Sequence, residues 1–295
     1  MNRTTIAAAL LATLASASAF AEIKEKEDGS GQPGKSIHLT RDASRNRGSG
    51  NRISYHGGPL IPNGINVYLI WYGNWSANSA TTLMPALIQN LSGSPYFKIN
   101  TTYSTASQVV QNAVYLAGTT TVGSPYKTSL SDADVQSIVT SAISGGKLAN
   151  DPHGLYFVLT SKDVNETSGF CTQYCGWHWF YAQSGGSTIK YSFVGNPDRC
   201  PSACEWQTNS PSGNSGFDGM ASIVAHELEE TVTDPEGTAW YDNRGYENAD
   251  KCAWTFGSTS KTSTGALYNM TMNGTNYLIQ QNWVNASGGY CAKSY

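Results

Sequence analysis

Residues 218–235 read "DGMASIVAHELEETVTDP". Met220, Ile223, Val224, Leu228 and Val232 recur at helical spacing and leave little polar face, so the stretch predicts a largely buried helix over about residues 219–233. Asp218 stands where an N-cap belongs, and Pro235 blocks continuation. His226 and Glu230 lie at i and i+4, on one face, and can converge on a single ion. Glu227 points to the neighbouring sector. This is the spacing of the H-E-x-x-H zinc helix with a glutamate in the place of the second histidine. In that pattern His226 and Glu230 are ligands, and Glu227 is the general base for water. A carboxylate is a legitimate zinc ligand, although it lowers the charge of the site and weakens the activation of water.

A third ligand must come from elsewhere. "RGYENADKC" (244–252) follows the turn after the helix. Glu247 is the expected ligand there, with Asp250 as the residue that orients a ligand and Cys252 as the anchor of the segment. Asp234, eight residues after His226, returns to nearly the same helix face and is a second supporting candidate. Zn2+ is the expected ion; Ca2+ held through oxygen ligands is the alternative. An acidic helix face with one satisfied histidine would give the same string. Burial weighs against that reading, because a helix this apolar turns His226, Glu227 and Glu230 inward only if they are paired or bound to a cation.

Outward from this helix, strand and helix patterns alternate. "INVYLIWYG" (65–73) and "GLYFVLTS" (154–161) are dense apolar runs of strand length. "CGWHWFYA" (175–182) and "IKYSFVGN" (189–196) flank the Gly-rich turn "QSGGST" and predict an antiparallel pair. "SQVVQNAVYLAG" (107–118) reads as another strand. "SATTLMPALIQNLSGSPYF" (79–97) has helical spacing, with Pro85 fitting a first turn if the helix starts late. "SLSDADVQSIVTSAISGG" (129–146) is a helix capped by Ser131 or Asp132 and stopped by Gly145. After Pro235 the chain is turn-rich. The order predicts an α+β fold, an α/β sandwich with a mixed sheet packed on helices. A sheet, an edge hairpin and then a His-Glu helix are similar in arrangement to the zincin metalloproteases, an analogy at the level of fold.

The ends and the composition bound the rest. "MNRTTIAAALLATLASASAFAEIK" carries a short basic start, an apolar core and Ala19-Phe20-Ala21, so residues 1–21 read as a signal peptide. Residues 22–52 are charged and rich in Gly and Ser, and predict a disordered leader, with a single domain over 53–295. No later stretch is long and apolar enough to span a membrane. Charged residues make up 13%, about half the usual share, and the net charge is −3. Nucleic-acid binding is excluded for want of a basic footprint. No Gly-rich phosphate loop precedes a helix. Six cysteines in an exported chain predict three disulfides. Spacing suggests Cys171 with Cys175, Cys200 with Cys204, and Cys252 with Cys291, among 15 possible connectivities. With the cysteines oxidised and no G-x-S-x-G elbow, thiol and serine nucleophiles have no support. His56 and His153 read as turn and loop residues, and His38 falls in the leader. His178, between Trp177 and Trp179, reads as structural or substrate-facing, with a ligand contributed from outside the helix as the alternative. The substrate expected is a peptide or a cell-wall polymer. Eight Trp and 17 Tyr could also serve a carbohydrate-binding surface, though most suit a core.

Five stretches resemble the EXORDIUM / phosphate-induced protein 1 family of plant extracellular proteins. They are "YHGGPLIPNGINVYLIWYGNW" (55–75), "CTQYCGWHWF" (171–180), "YSFVGNPDRCPSACEWQ" (191–207), "GFDGMASIVAHELEETVTDPEGTAWYD" (216–242) and "NADKCAWTFG" (248–257). The resemblance implies a secreted or wall-associated protein linked to growth control, with structural cysteine pairs and no settled biochemical activity. Plant members have an uncharged helix where "AHELEE" stands here, with a small residue replacing the histidine. A metal site would therefore belong to a microbial branch. Two functions follow: a secreted zincin-like metal-dependent hydrolase, or a non-enzymatic extracellular binding or signalling protein.

Overall fold

The computed structural model describes residues 35–44, 52–123 and 127–295; the expected signal peptide lies outside them. Six strands form one sheet: β1 (Ser36–Leu39), β2 (Ile65–Tyr72), β3 (Val114–Val122), β4 (Gly154–Thr160), β5 (Tyr174–Ala182) and β6 (Thr188–Gly195). Their order is β1-β5-β6-β4-β2-β3. β3, β2, β4 and β6 run parallel, while β5 is antiparallel to β6 and β1 is antiparallel to β5. β4 is buried at every residue and β2 at all but one, as strands covered on both faces must be. The mixed sheet and its helices make an α+β fold.

Three helices supply the cover: α1 (Ala80–Leu91), α2 (Asp132–Ser144) and α3 (Ser215–Thr233). Ser131 caps α2 in a reciprocal capping box with Asp134. α1 packs against α3, and α3 lies on β5 and β6. The approach of α3 is set by Gly176 in β5: a Cβ there would come within 2.6 Å of Ile223 Cγ2. His178, two residues on, shares that face with Gly176, whereas Trp177 points to the other side. α3 starts earlier than the apolar spacing indicates. Its cap is Asn214, whose side chain accepts from the Phe217 backbone N–H, so Asp218 is a buried residue inside the helix. Pro85 also lies inside α1 rather than in its first turn, and β3 begins seven residues later than the quoted run.

The N-terminal boundary needs correction. Residues 36–39, read from composition as part of a disordered leader, form the edge strand β1 against β5. Ser36, Ile37 and His38 are buried there. Composition averages over a window, whereas four residues gain order from a neighbouring strand's free hydrogen-bonding edge.

The disulfides also differ from the spacing. Cys171 joins Cys200 and Cys175 joins Cys204, with Cα atoms 5.7 and 5.5 Å apart; Cys252 joins Cys291 as expected. Cys200 caps and Cys204 ends the short helical turn Pro201–Cys204; Cys204 meets Cys175 in β5, and Cys200 meets Cys171 in the turn just before that strand. Each of these two bridges spans 29 residues, which constrains the unfolded chain by roughly 3–4 kcal/mol. No helix among the described residues is long and apolar enough to cross a membrane.

Beside these bridges, Glu205 is buried. Burial, then the negative charge of Asp198, pushes its carboxyl from 4.5 up to about 7. The folded protein therefore holds this proton more tightly than the unfolded chain does. The resulting stability is fully present below about pH 4.5 and is lost as pH rises through about 7. Glu205→Gln should remove that slope and stabilise the protein at pH 8 by on the order of 2 kcal/mol relative to wild type. Urea unfolding of both proteins at pH 5 and pH 8 reads the difference; equal slopes with pH would exclude this assignment.

Candidate metal centre

Every residue of α3 from Ala221 to Thr233 is buried, the histidine and the acids included. Turning so many ionisable groups inward fixes what must surround them. His226 Nε2 lies 3.0 Å from Glu230 Oε1, the i to i+4 contact that the spacing predicts. Asp250 Oδ1 lies 3.7 Å from the same nitrogen. Ligand atoms of His226, Glu230 and Asp250 all fall within 4.8 Å of one another. One imidazole and two carboxylates are a donor set that suits zinc or a similar divalent ion.

Asp250 is brought there by the short 3-10 turn Asp250–Cys252, which the Cys252–Cys291 bridge pins. The Asp250 backbone N–H donates to Glu230 Oε1 at 3.0 Å, which fixes that oxygen. Its carboxylate also accepts from the Glu247 backbone N–H at 3.3 Å. Glu247, the expected third ligand, reaches the cluster from another side: its Oε1 is 3.9 Å from His178 Nε2, and its Oε2 accepts from Ser36 Oγ. In the His226 set the third place thus goes to Asp250, with Glu247 beside it. Asp234 turns elsewhere, accepting from the Ala239 backbone N–H at 2.7 Å.

Glu227 takes the adjoining sector. Its Oε2 lies 3.0 Å from His178 Nδ1, and His178 Nδ1 is 3.7 Å from Glu230 Oε2. His178, Glu227 and Glu230 form a second set of ligand atoms within 4.8 Å of one another. Glu230 therefore faces His226 and Asp250 with one oxygen and His178 with the other. Burial, and next the charges of Glu230, Asp250 and Glu247, hold the Glu227 carboxyl well above its ordinary range. Several acids share this space, and a cation held among them would offset their repulsion.

Two contributors come from β1. Ser36 Oγ donates to Glu230 Oε2 at 3.1 Å as well as to Glu247. The His38 ring meets that of His226 edge to face, with centroids 4.4 Å apart, and its Nε2 is 3.2 Å from Gln280 Oε1. Burial, then the neighbouring His226, hold the His38 imidazole well below its usual range, so it stays neutral. The sequence offered no sign of Ser36 or His38, which sit in a polar stretch. His178 did leave a signal: in an alternating strand it shares a face with Gly176 and not with Trp177, so its neighbours differ from the aromatic ones. Glu229 is a separate case. It turns away from the centre to Asn282 Nδ2 at 2.6 Å, and burial keeps its carboxyl well above the ordinary range.

The model of the "Phosphate-induced protein 1 conserved region" matches residues 53–293. "Protein EXORDIUM-like 3" of Arabidopsis thaliana is 32% identical, over 82% of this chain and 84% of its own. "Protein EXORDIUM-like 5" of the same plant is 28% identical over 85% and 80%. "Protein PHOSPHATE-INDUCED 1" of Nicotiana tabacum is 26% identical over 77% and 83%. No solved structure matches.

The geometry separates the two neighbouring glutamates. Glu230→Gln should weaken Zn2+ binding by at least about 10–100-fold, because one residue serves both sets of ligand atoms. Glu229→Gln should leave it unchanged. Titration of the metal-stripped protein with Zn2+, followed by calorimetry, compares them; equal affinities would place the ion away from Glu230.

Proposed function

This chain belongs to the phosphate-induced protein 1 family, and from that premise we propose that it is an exported metal-dependent hydrolase, acting on peptides, whose centre is carried by α3. The observation that supports this most directly is the convergence of His226, Glu230 and Asp250 under one buried helix turn. His226, Glu230 and Asp250 would hold the ion, with Zn2+ favoured by the imidazole in the set. Such an ion supplies Lewis-acid polarisation of a carbonyl and activation of water.

The chain's own residues supply the proton handling. Glu227 Oε1 takes the proton of the attacking water, and Glu227 later passes it to the departing amine. His178 Nδ1, at 3.0 Å from Glu227 Oε2, fixes the other carboxylate oxygen and so aims the first. Asp250 orients Glu230 through its backbone N–H as well as joining the ligand set. Three disulfides fit an exported protein.

A structural ion in a non-enzymatic extracellular protein is the second reading. It draws on one observation: His226, Glu227, Glu230 and Glu247 are all 0% exposed. Calcium suits it less well than zinc, because imidazole is not a ligand that calcium prefers.

Elemental analysis of the purified full-length protein, with hydrolysis of fluorogenic peptides by wild type and Glu227→Gln, tests the proposal. The expected result is bound Zn2+ in both and a loss of roughly 10²–10⁴-fold in hydrolysis for the variant. Protein without metal sinks both readings. Metal with hydrolysis that ignores Glu227→Gln leaves the structural ion.

A further inference from the structure

A hydrolytic centre has to meet its substrate, yet the four residues His226, Glu227, Glu230 and Glu247 are closed off from solvent. One of the elements that closes them is β1. It is the outermost strand of the sheet, and its sheet partner is β5. Ser36 and His38, two residues apart, share one face of the strand, and that face is turned to the centre. Ser36 sits opposite His178 in the ladder and places its hydroxyl on Glu230 and Glu247. His38 sits opposite Gly176 and lays its ring against His226. Thus two residues of this extended chain, Ser36 and His38, reach Glu230, Glu247 and His226 at once.

The strand is fastened on its far side. Lys35 Nζ lies 2.7 Å from Asp132 Oδ2 at the start of α2 and 2.8 Å from Ser168 Oγ, over the Trp177 ring at 4.6 Å. Ile37 is 2% exposed. These attachments lie away from the centre, so what holds the strand and what the strand covers are separate. β1 also precedes residue 53, where the match to the conserved region begins, so that region includes β5 but not the strand that covers its edge.

We propose that the edge of β5 is the binding site for an extended peptide, added antiparallel to Tyr174–Ala182, and that residues 35–40 of this chain occupy that site and block it. Main-chain ladder bonds supply the affinity of such strand addition, and alternate side chains read the site. The residue in the place of Ser36 meets Glu230, and the one in the place of His38 meets His226. That a bound peptide is then cut rests on the hydrolase reading; that the edge binds it does not.

The test uses the full-length chain with a recognition sequence for a site-specific protease inserted after Ser44. A fluorescent peptide carrying residues 35–40, KSIHLT, serves as the probe. Before cutting, no binding is expected at micromolar probe. After cutting, the probe should bind, hydrogen exchange across residues 174–179 should slow on binding, and peptide hydrolysis should rise at least ten-fold. The proposal is overturned if the cut segment leaves and the folded remainder binds no probe, or if the remainder unfolds, since β1 is then part of the scaffold. It is also overturned if the segment stays bound and the probe never exchanges with it. Should the insertion prevent folding, Ile37→Asp in the otherwise unaltered chain gives the same readings. Probe binding without metal or hydrolysis would keep the peptide site and sink the hydrolase reading. Hydrolysis that is equal before and after cutting, with no probe bound, would do the reverse.

Discussion

A carboxylate taken out of water must find a counter-charge, a set of hydrogen-bond donors or a proton. α3 imposes that condition repeatedly within two turns, because Glu227, Glu229 and Glu230 are all buried beside His226. Glu229 meets it with the amide of Asn282. The other two meet it together with Glu247, Asp250, His178, His226 and Ser36, drawn from β5, the loop after α3, and β1. Much of the architecture around α3 answers this requirement. Gly176 lets the helix approach β5 closely enough for His178 to reach Glu227, and the Cys252–Cys291 bridge fixes the turn that carries Asp250.

The same condition links stability to function. The repulsion among the four acids disfavours the folded chain by itself, and a divalent ion held among them would offset it, so binding such an ion would also order this region. The Cys171–Cys200 and Cys175–Cys204 bridges fasten the start of β5 to the turn before α3. Strand and helix, which carry His178 and Glu227, are thereby held in register by covalent links.

Much of the fold was legible because periodicity is local. The runs at 65–73, 154–161, 175–182 and 189–196 became β2, β4, β5 and β6, and the capping pattern at Ser131 became the start of α2. In the centre, His226 and Glu230 were legible for the same reason: a helix converts a spacing of four into contact. Three things were not. Ser36 and His38 belong to a stretch whose composition resembles disorder, and only the free edge of β5 orders it. The crossed disulfides depend on which segments face each other. The exchange of places between Asp250 and Glu247 depends on the sharp turn at Asp250–Cys252, which spacing does not record.

The sequence by itself determined most of the sheet and helix elements, the burial of α3, the pairing of His226 with Glu230 and the oxidised state of the cysteines, all properties of residues within a few positions of one another or of composition. The tertiary structure decided what meets them: His178 from one strand, Asp250 from a distant turn, Ser36 and His38 from the chain's outermost strand. Contacts across such separations follow from sheet order and strand register, and these are settled by the packing of the whole chain.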